Sequence, residues 1–160
     1  MYVRLLNPAD VEAFTRLRLR ALREEPMSFS SDPEDQLSIS AEEIIRRLTP
    51  SANAFVLGAI DSNQQLVGMV GVFRETPAKH AHKAFMWGVY VAPEYRKRGL
   101  GERLVRAAID QVPEALPGVQ ILGTSVFLSA PAARALYPRC GFVSWGIEAR
   151  SAKVGGQYIA

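Results

Sequence analysis

The stretch VYVAPEYRKRGLGERL, running from Val89 to Leu104, gathers the residue types best suited to holding an anion. Arg96, Lys97 and Arg98 carry full positive charges, and Gly99 and Gly101 allow close approach to the backbone. The amphipathic pattern that resumes at Gly101 marks a helix start, whose unsatisfied N–H groups add partial positive charge. Together these suit a phosphate or pyrophosphate better than a lone carboxylate; a solvated basic turn is the plainer alternative. Two phosphate motifs do not fit. The run lacks the third glycine of the dinucleotide fingerprint, and its lysine is not followed by the Ser or Thr of a phosphate-binding loop. Cys140 is the only cysteine and His80 and His82 the only histidines, so neither an internal disulfide nor a metal site is expected. Cys140 reads as a small packed apolar residue rather than a nucleophile.

The chain that must position these groups has 160 residues, 48% of them apolar and 22% charged, the scale of one domain with a real core. A single domain over residues 1–160 is expected. The formal charge of +3 is mild, whereas a nucleic-acid binder shows a larger, clustered excess, so no nucleic-acid partner is expected. No apolar run approaches the roughly 20 residues of a membrane span, and the apolar part of MYVRLLNPAD is too short for a secretory signal. A cytoplasmic location without membrane contact is the expectation.

Hydrophobic periodicity and punctuation give the element order. YVRLL predicts a strand, and Asn7, Pro8 and Asp10 open a helix whose buried face holds Val11, Phe14, Leu17, Ala21 and Leu22, ending near Glu24-Glu25-Pro26. Residues 27–38 read as a surface loop. Ser40 to Glu43 is a capping-box pattern for a second helix that stops at Thr49-Pro50. AFVLGAI and LVGMVGVF form a hairpin around Asp61–Gln65, and AFMWGVYV supplies the next strand. In that strand Phe85 and Trp87 fall on one side and Met86, Gly88 and Tyr90 on the other, with Gly88 and Pro93 as candidate marks of a bulge. A helix from Gly101 is expected to end before Pro113, followed by a strand VQILGTSVF, a helix from Pro131 and a strand from Phe142. The chain then closes with a Gly155-Gly156 turn and a stub of strand.

This order, the R-x-x-G-x-G turn at Arg96 to Gly101 and the later A-x-x-L-Y-x-x-x-G-F from Ala133 to Phe142 together resemble the GNAT superfamily of acetyl-CoA-dependent N-acyltransferases. The resemblance implies an α/β fold of the α+β type, with a central mixed, mostly antiparallel sheet of six to seven strands flanked by about four helices. It implies that acetyl-CoA is the acyl donor, its pyrophosphate on the amides of Lys97, Arg98, Gly99, Leu100, Gly101 and Glu102 beside Arg96. The pantetheine arm would run beside Val89, Tyr90 and Val91, an amide near Val91 would polarise the thioester, and strands WGVYV and GTSVF would splay into a V-shaped gap. Tyr137 matches the tyrosine that protonates the departing thiolate, a sensible pairing of a phenol of pKa ~10 with a thiolate of pKa ~8.5.

Departures from the family pattern bear on the proton that the acceptor must lose. The positions where relatives carry a glutamate in the fourth or fifth strand are Phe85 and Ser125 here, and a common asparagine is Ala130. A primary amine of pKa ~10.4 is neutral about one part in a thousand at pH 7, so something must take its proton. His82 is the candidate base, with His80, Glu75 and a water chain from backbone carbonyls or Tyr90 as rivals. The acceptor is a small-molecule or peptide amine, shaped by the 27–38 and His80–Lys83 loops, with Glu34 and Asp35 as attractors of a cationic group or as solvated loop charges. The expected function is direct transfer of acetyl to that amine in a ternary complex; the alternative is a noncatalytic acyl-CoA-binding module. The short ending leaves an open sheet edge, with two readings: a homodimer covers it, or the chain is slightly shortened and less stable for it.

Overall fold

The computed structural model describes all 160 residues. Its elements are β1 (Tyr2–Leu5), α1 (Val11–Glu24), α2 (Pro33–Leu37), α3 (Ala41–Leu48), β2 (Ala54–Ile60), β3 (Leu66–Arg74), β4 (Lys83–Val91), α4 (Leu100–Ala115), β5 (Ile121–Gly123), α5 (Pro131–Arg139), β6 (Ala152–Val154) and β7 (Gln157–Ile159). The central sheet runs β1-β2-β3-β4-β5. Its first three pairings are antiparallel and the last, β4 with β5, is parallel. This is the mixed α/β architecture expected, with one redistribution. Seven strands are present, but only five form the central sheet, and β6 and β7 form a separate two-stranded sheet rather than extending it.

The starts of the early helices follow from local chemistry. The Asn7 side chain accepts from the Ala9 amide at 2.9 Å, Pro8 opens a 3-10 turn, and α1 continues from it. At α3 the Ser40 hydroxyl accepts from the Glu43 amide at 3.2 Å, while the Glu43 carboxylate turns to Arg47 at 2.9 Å instead of closing the box. The same Asx-Pro signal occurs at Asp32-Pro33, where a capping box with Asp35 begins α2 inside the segment expected to be loop.

Two apolar layers hold helices against the sheet. Phe55, Leu57, Val70, Val72 and Met86 meet Leu104, Val105, Ala108 and Val112 of α4. On the other face Val56, Met69 and Tyr90 meet Phe14, Leu17, Ala21, Ile44 and Leu48 of α1 and α3. Each fully buried Leu or Phe contributes about 1.5–3 kcal/mol, enough to override weak local signals. That explains α4, which runs through Pro113 to Ala115 rather than stopping before the proline. Proline here removes one late hydrogen bond, while Val112 and Leu116 on either side are buried against the sheet.

The last part of the chain departs most from expectation. β5 is three residues long, not the whole of VQILGTSVF, because β4 is its only neighbour and the two strands diverge after Phe85↔Gly123. The segment after Phe142 is not a strand; Val143, Trp145 and Ile147 are exposed on it, Trp145 to 95%. No helix is long and apolar enough to cross a membrane.

Candidate functional site

The turn between β4 and α4 is built from unusual backbone. Lys97 has φ +60° and Gly99 φ +73°, both left-handed, and Gly99 occupies the position before the first helical residue. Nothing in the chain accepts from the amides of Lys97 to Glu102; the first N–H of α4 with a backbone partner is that of Arg103, which donates to Gly99 at 3.0 Å. A run of free amides at the start of a 16-residue helix is an anion site in its own right. A Cβ on Gly101 would sit 3.6 Å from Leu136 and 3.9 Å from Val91, so this glycine borders the passage between β4 and α5.

The three cations divide their work. Arg96 donates through Nε to the Val91 carbonyl at 2.8 Å, pairs with Glu25 at 2.7 Å and lies 5.5 Å from the Tyr90 ring centroid. It braces the turn. Lys97 and Arg98 are exposed and enter no ion pair, which leaves their charge for a ligand. The acid in the first turn of α4, Glu102, is engaged by Arg106 at 2.8 Å and Arg139 at 3.4 Å. Those guanidiniums, Arg106 foremost, hold its carboxyl below the usual range and offset the charge that would repel a phosphate.

A cleft opens where β4 and β5 separate. It is a half-open space of about 2150 Å³, roughly twice the upper end of ordinary ligand pockets, bounded by β4, residues 121–134, α5 and the exposed segment 143–148. Thr124 pins its apex by donating from Oγ1 to the Met86 carbonyl at 3.0 Å. One side of the cleft is the open edge of β4. The Ala92 amide donates inward to Val67 at 2.9 Å, so by alternation Val91 presents its N–H and C=O outward, toward the cleft.

β4 carries a bulge at its centre. Met69 pairs with Tyr90 and Gly71 with Trp87, so Val70 alone opposes both Gly88 and Val89, and Gly88 supplies the φ of +66° that this requires. The extra residue reverses the side-chain alternation. Met86 packs toward α4, yet Tyr90 ends in the layer with α1, on the same face as Trp87 and opposite to the simple alternation read from sequence. Pro93 has no part in the bulge and instead opens a 3-10 turn, Pro93–Tyr95, that leads into the cradle.

Tyr137 lies on α5 with its ring 5.6 Å from that of Phe142, 8% exposed, lining the cleft. Burial pushes its phenol above the ordinary value, and the Thr124 hydroxyl beside it pulls partly back. Cys140 is packed in the same layer, its thiol also raised by burial, as its reading as an apolar residue anticipated.

The expected base is elsewhere. His82 sits at the closed end of β4, its carbonyl accepting from Gln120 at 2.8 Å and Ile121 at 3.2 Å. At about 3.3 Å per residue, that end of the strand is roughly 20 Å from the Gly88 bulge, and His82 does not line the cleft. His80 is half exposed and paired with Glu75 at 2.9 Å on the same outer loop. Of the loops expected to shape the acceptor pocket, Ser28–Ser31 line the cleft, whereas His80–Lys83, Glu34 and Asp35 do not.

Several positioning contacts join residues too distant in sequence to be read together. Arg20 grips Glu94 with bonds of 2.7 and 2.8 Å, and the Tyr90 hydroxyl donates to Glu24 at 2.5 Å, tying the end of α1 to both sides of the turn. Buried Asp61 accepts from the amides of Asn63 and Gln65 and from the Tyr95 hydroxyl at 2.6 Å, so one carboxylate shapes the hairpin and anchors the approach to the cradle.

Comparison with known proteins agrees with this layout. The sequence profile described as the Acetyltransferase (GNAT) family matches residues 16–142. An acetyltransferase of the GNAT family from Streptococcus pneumoniae is 25% identical with a TM-score of 0.83, over 99% of this chain and 94% of that one. A ribosomal-protein-alanine N-acetyltransferase from Brucella melitensis shares the fold at 22% identity and a TM-score of 0.78, over 99% and 94%. The yncA protein from Salmonella typhimurium, solved with its cofactor acetyl-CoA, does so at 20% and 0.80, over 99% and 88%. Among curated proteins none matches significantly.

Proposed function

The chain belongs to the GNAT acetyltransferase family, which uses acetyl-CoA, and we propose that it moves the acetyl group directly to an amine in a ternary complex, as one domain over residues 1–160. The observation that carries this reading is the run of unpartnered amides from Lys97 to Glu102, beside an open strand edge and a buried tyrosine in one cleft. The amides hold pyrophosphate, with Lys97 and Arg98 adding charge and Arg96 bracing the turn. Val89, Tyr90 and Val91 line the pantetheine arm, and the Val91 amide polarises the thioester carbonyl. The amine nitrogen bonds to the carbonyl carbon, the carbon–sulfur bond breaks, and Tyr137 gives its proton to the departing thiolate. The size of the cleft supports simultaneous occupation by both substrates.

The amine's own proton leaves to solvent in this scheme. His82 is too distant, and Tyr90 is a poor acceptor because its phenol, raised by burial and by Glu24, already donates to that carboxylate. Glu25 and Glu102 line the cleft but are paired with arginines. A noncatalytic acyl-CoA-binding module is the second reading, favoured by Phe85 and Ser125, which line the cleft where relatives carry a glutamate. A homodimer covering exposed Val143, Trp145 and Ile147 completes the proposal, and sedimentation of the purified chain tests it. The function itself is tested by thiol release from acetyl-CoA over a panel of amines. Turnover with any amine supports transfer; tight binding without turnover across the panel selects the second reading.

A further inference from the structure

Arg18 is the only basic side chain among the buried residues, 7% exposed, and it has no anion. It shares the buried stripe of α1 with Phe14, Leu17, Ala21 and Leu22 and lines the cleft. Its guanidinium carbon lies 5.0 Å from the Phe29 ring centroid and 5.6 Å from that of Trp87. It makes no ion pair, and its Nη1 is buried without a hydrogen-bond partner. That nitrogen lies over the β4 bulge, 3.5 Å from where a Cβ on Gly88 would stand. Burial, and after it repulsion from Arg47, brings the Arg18 pKa down to about 10, and no acidic group acts in the opposite sense. Arg47 itself lines the cleft and is paired with Glu43 at 2.9 Å.

A buried, unpaired guanidinium is costly, and the cost is met when an anion enters. The flanking rings offer the guanidinium no hydrogen-bond acceptor, and a guanidinium fork matches a planar carboxylate with two parallel bonds. We propose that Arg18 binds a carboxylate carried by the acyl acceptor, and that the acceptor is therefore an amine that also bears a carboxylate, the amino-acid class, rather than a simple amine or polyamine. The acidic residues read from sequence as attractors of a cationic acceptor, Glu34 and Asp35, are outside the cleft. This inference rests on the acetyltransfer reading for the role of the bound molecule, but the anion site can be tested without turnover.

The experiment uses Trp87 as reporter in a Trp145→Phe background, where it is the only indole. The common amino acids and their carboxamides are titrated by fluorescence, with acetyl-CoA binding measured in parallel and thiol release followed for each pair. The expected result is a saturable Trp87 response to at least one amino acid, binding about ten- to hundredfold tighter than its carboxamide, the range of a lost charge-assisted bond. In Arg18→Met that preference disappears while acetyl-CoA binding persists, and Arg18→Lys, which keeps the charge but not the fork, recovers part of it. Equal responses to acid and amide, or none to either in a protein that binds acetyl-CoA, overturn the inference and identify Arg18 as a structural arginine only. A carboxylate preference in a protein that neither binds acetyl-CoA nor releases thiol keeps the anion site and removes the acetyltransfer reading.

Discussion

Replacing Tyr137 with Phe separates a catalytic phenol from a core ring. The ring is 8% exposed and meets Phe142 edge to face at 5.6 Å, and phenylalanine preserves both features. Thr124, the polar neighbour of the phenol, already donates to Met86 at 3.0 Å, so removing the hydroxyl strands no buried donor there. The Tyr137 hydroxyl makes no hydrogen bond within the chain, so the structural loss is at most about 1 kcal/mol, or roughly 2–4 °C in Tm for a chain of this size. Losing a general acid costs much more, about 10²–10⁴ in rate, equivalent to ~2.7–5.5 kcal/mol of barrier. Tyr137→Phe should therefore bind acetyl-CoA as the parent does and melt within a few degrees of it, yet lose kcat by at least about a hundredfold in single-turnover thiol release. A kcat within about threefold of the parent, under 1 kcal/mol, would refute the acid role. Alkaline pH provides a second readout. The buried phenol holds its proton more tightly than the unfolded chain's phenol of pKa ~10. Its contribution to stability is thus fully present below pH ~10 and is lost as pH rises through the folded value, a loss that Tyr137→Phe should lack.

Three further outcomes follow from the geometry. His82→Ala should leave kcat/KM unchanged at every pH, and the wild-type profile should rise toward the acceptor amine's own pKa; a limb of the profile that is abolished in the variant would restore histidine as base. Gly71→Ala should displace Trp87, because a Cβ there would lie 2.2 Å from the indole. Overpacking of this kind costs about 1–3 kcal/mol, and the tryptophan emission should shift to the red relative to wild type. Replacing Lys97 and Arg98 together with Ala should weaken acetyl-CoA binding by a few-fold for each charge and flatten its salt dependence, since exposed charges contribute about 0.3–1 kcal/mol each near a helix terminus. An unchanged salt slope would show that the amides act alone.

What the sequence revealed was local chemistry, and what it concealed was long-range pairing. Asn7-Pro8 and Ser40 announce helix starts because capping is decided within four residues, and the R-x-x-G-x-G turn is legible because its glycines and charges are contiguous. Asp32-Pro33 carried the same signal as Asn7-Pro8, yet α2 is only five residues long and its polar surroundings read as loop. The fate of Tyr90 was hidden because a bulge depends on the neighbouring strand's register, not on β4 alone. β5 looked long because its residues favour strands, but a strand needs a partner and β4 diverges from it. His82 was placed by proximity in sequence to the active strand, whereas a strand carries its two ends far apart. Arg18 could have been found. It falls four residues after Phe14 and next to Leu17, on the apolar stripe of α1, and a cation on a buried stripe calls for an anion.

The most direct test of the central claim is calorimetric titration with acetyl-CoA of the wild type and of an Arg98→Glu, Gly101→Glu double variant, with NAD and ATP as controls. Gly101→Glu directs a side chain toward Val91 and Leu136 and adds negative charge to the cradle. The expected result is binding in the micromolar range that is specific to acetyl-CoA and lost in the folded variant. A folded wild type that does not bind acetyl-CoA, or a variant that binds it equally well, would contradict the assignment of the Lys97 to Glu102 amides as the cofactor site.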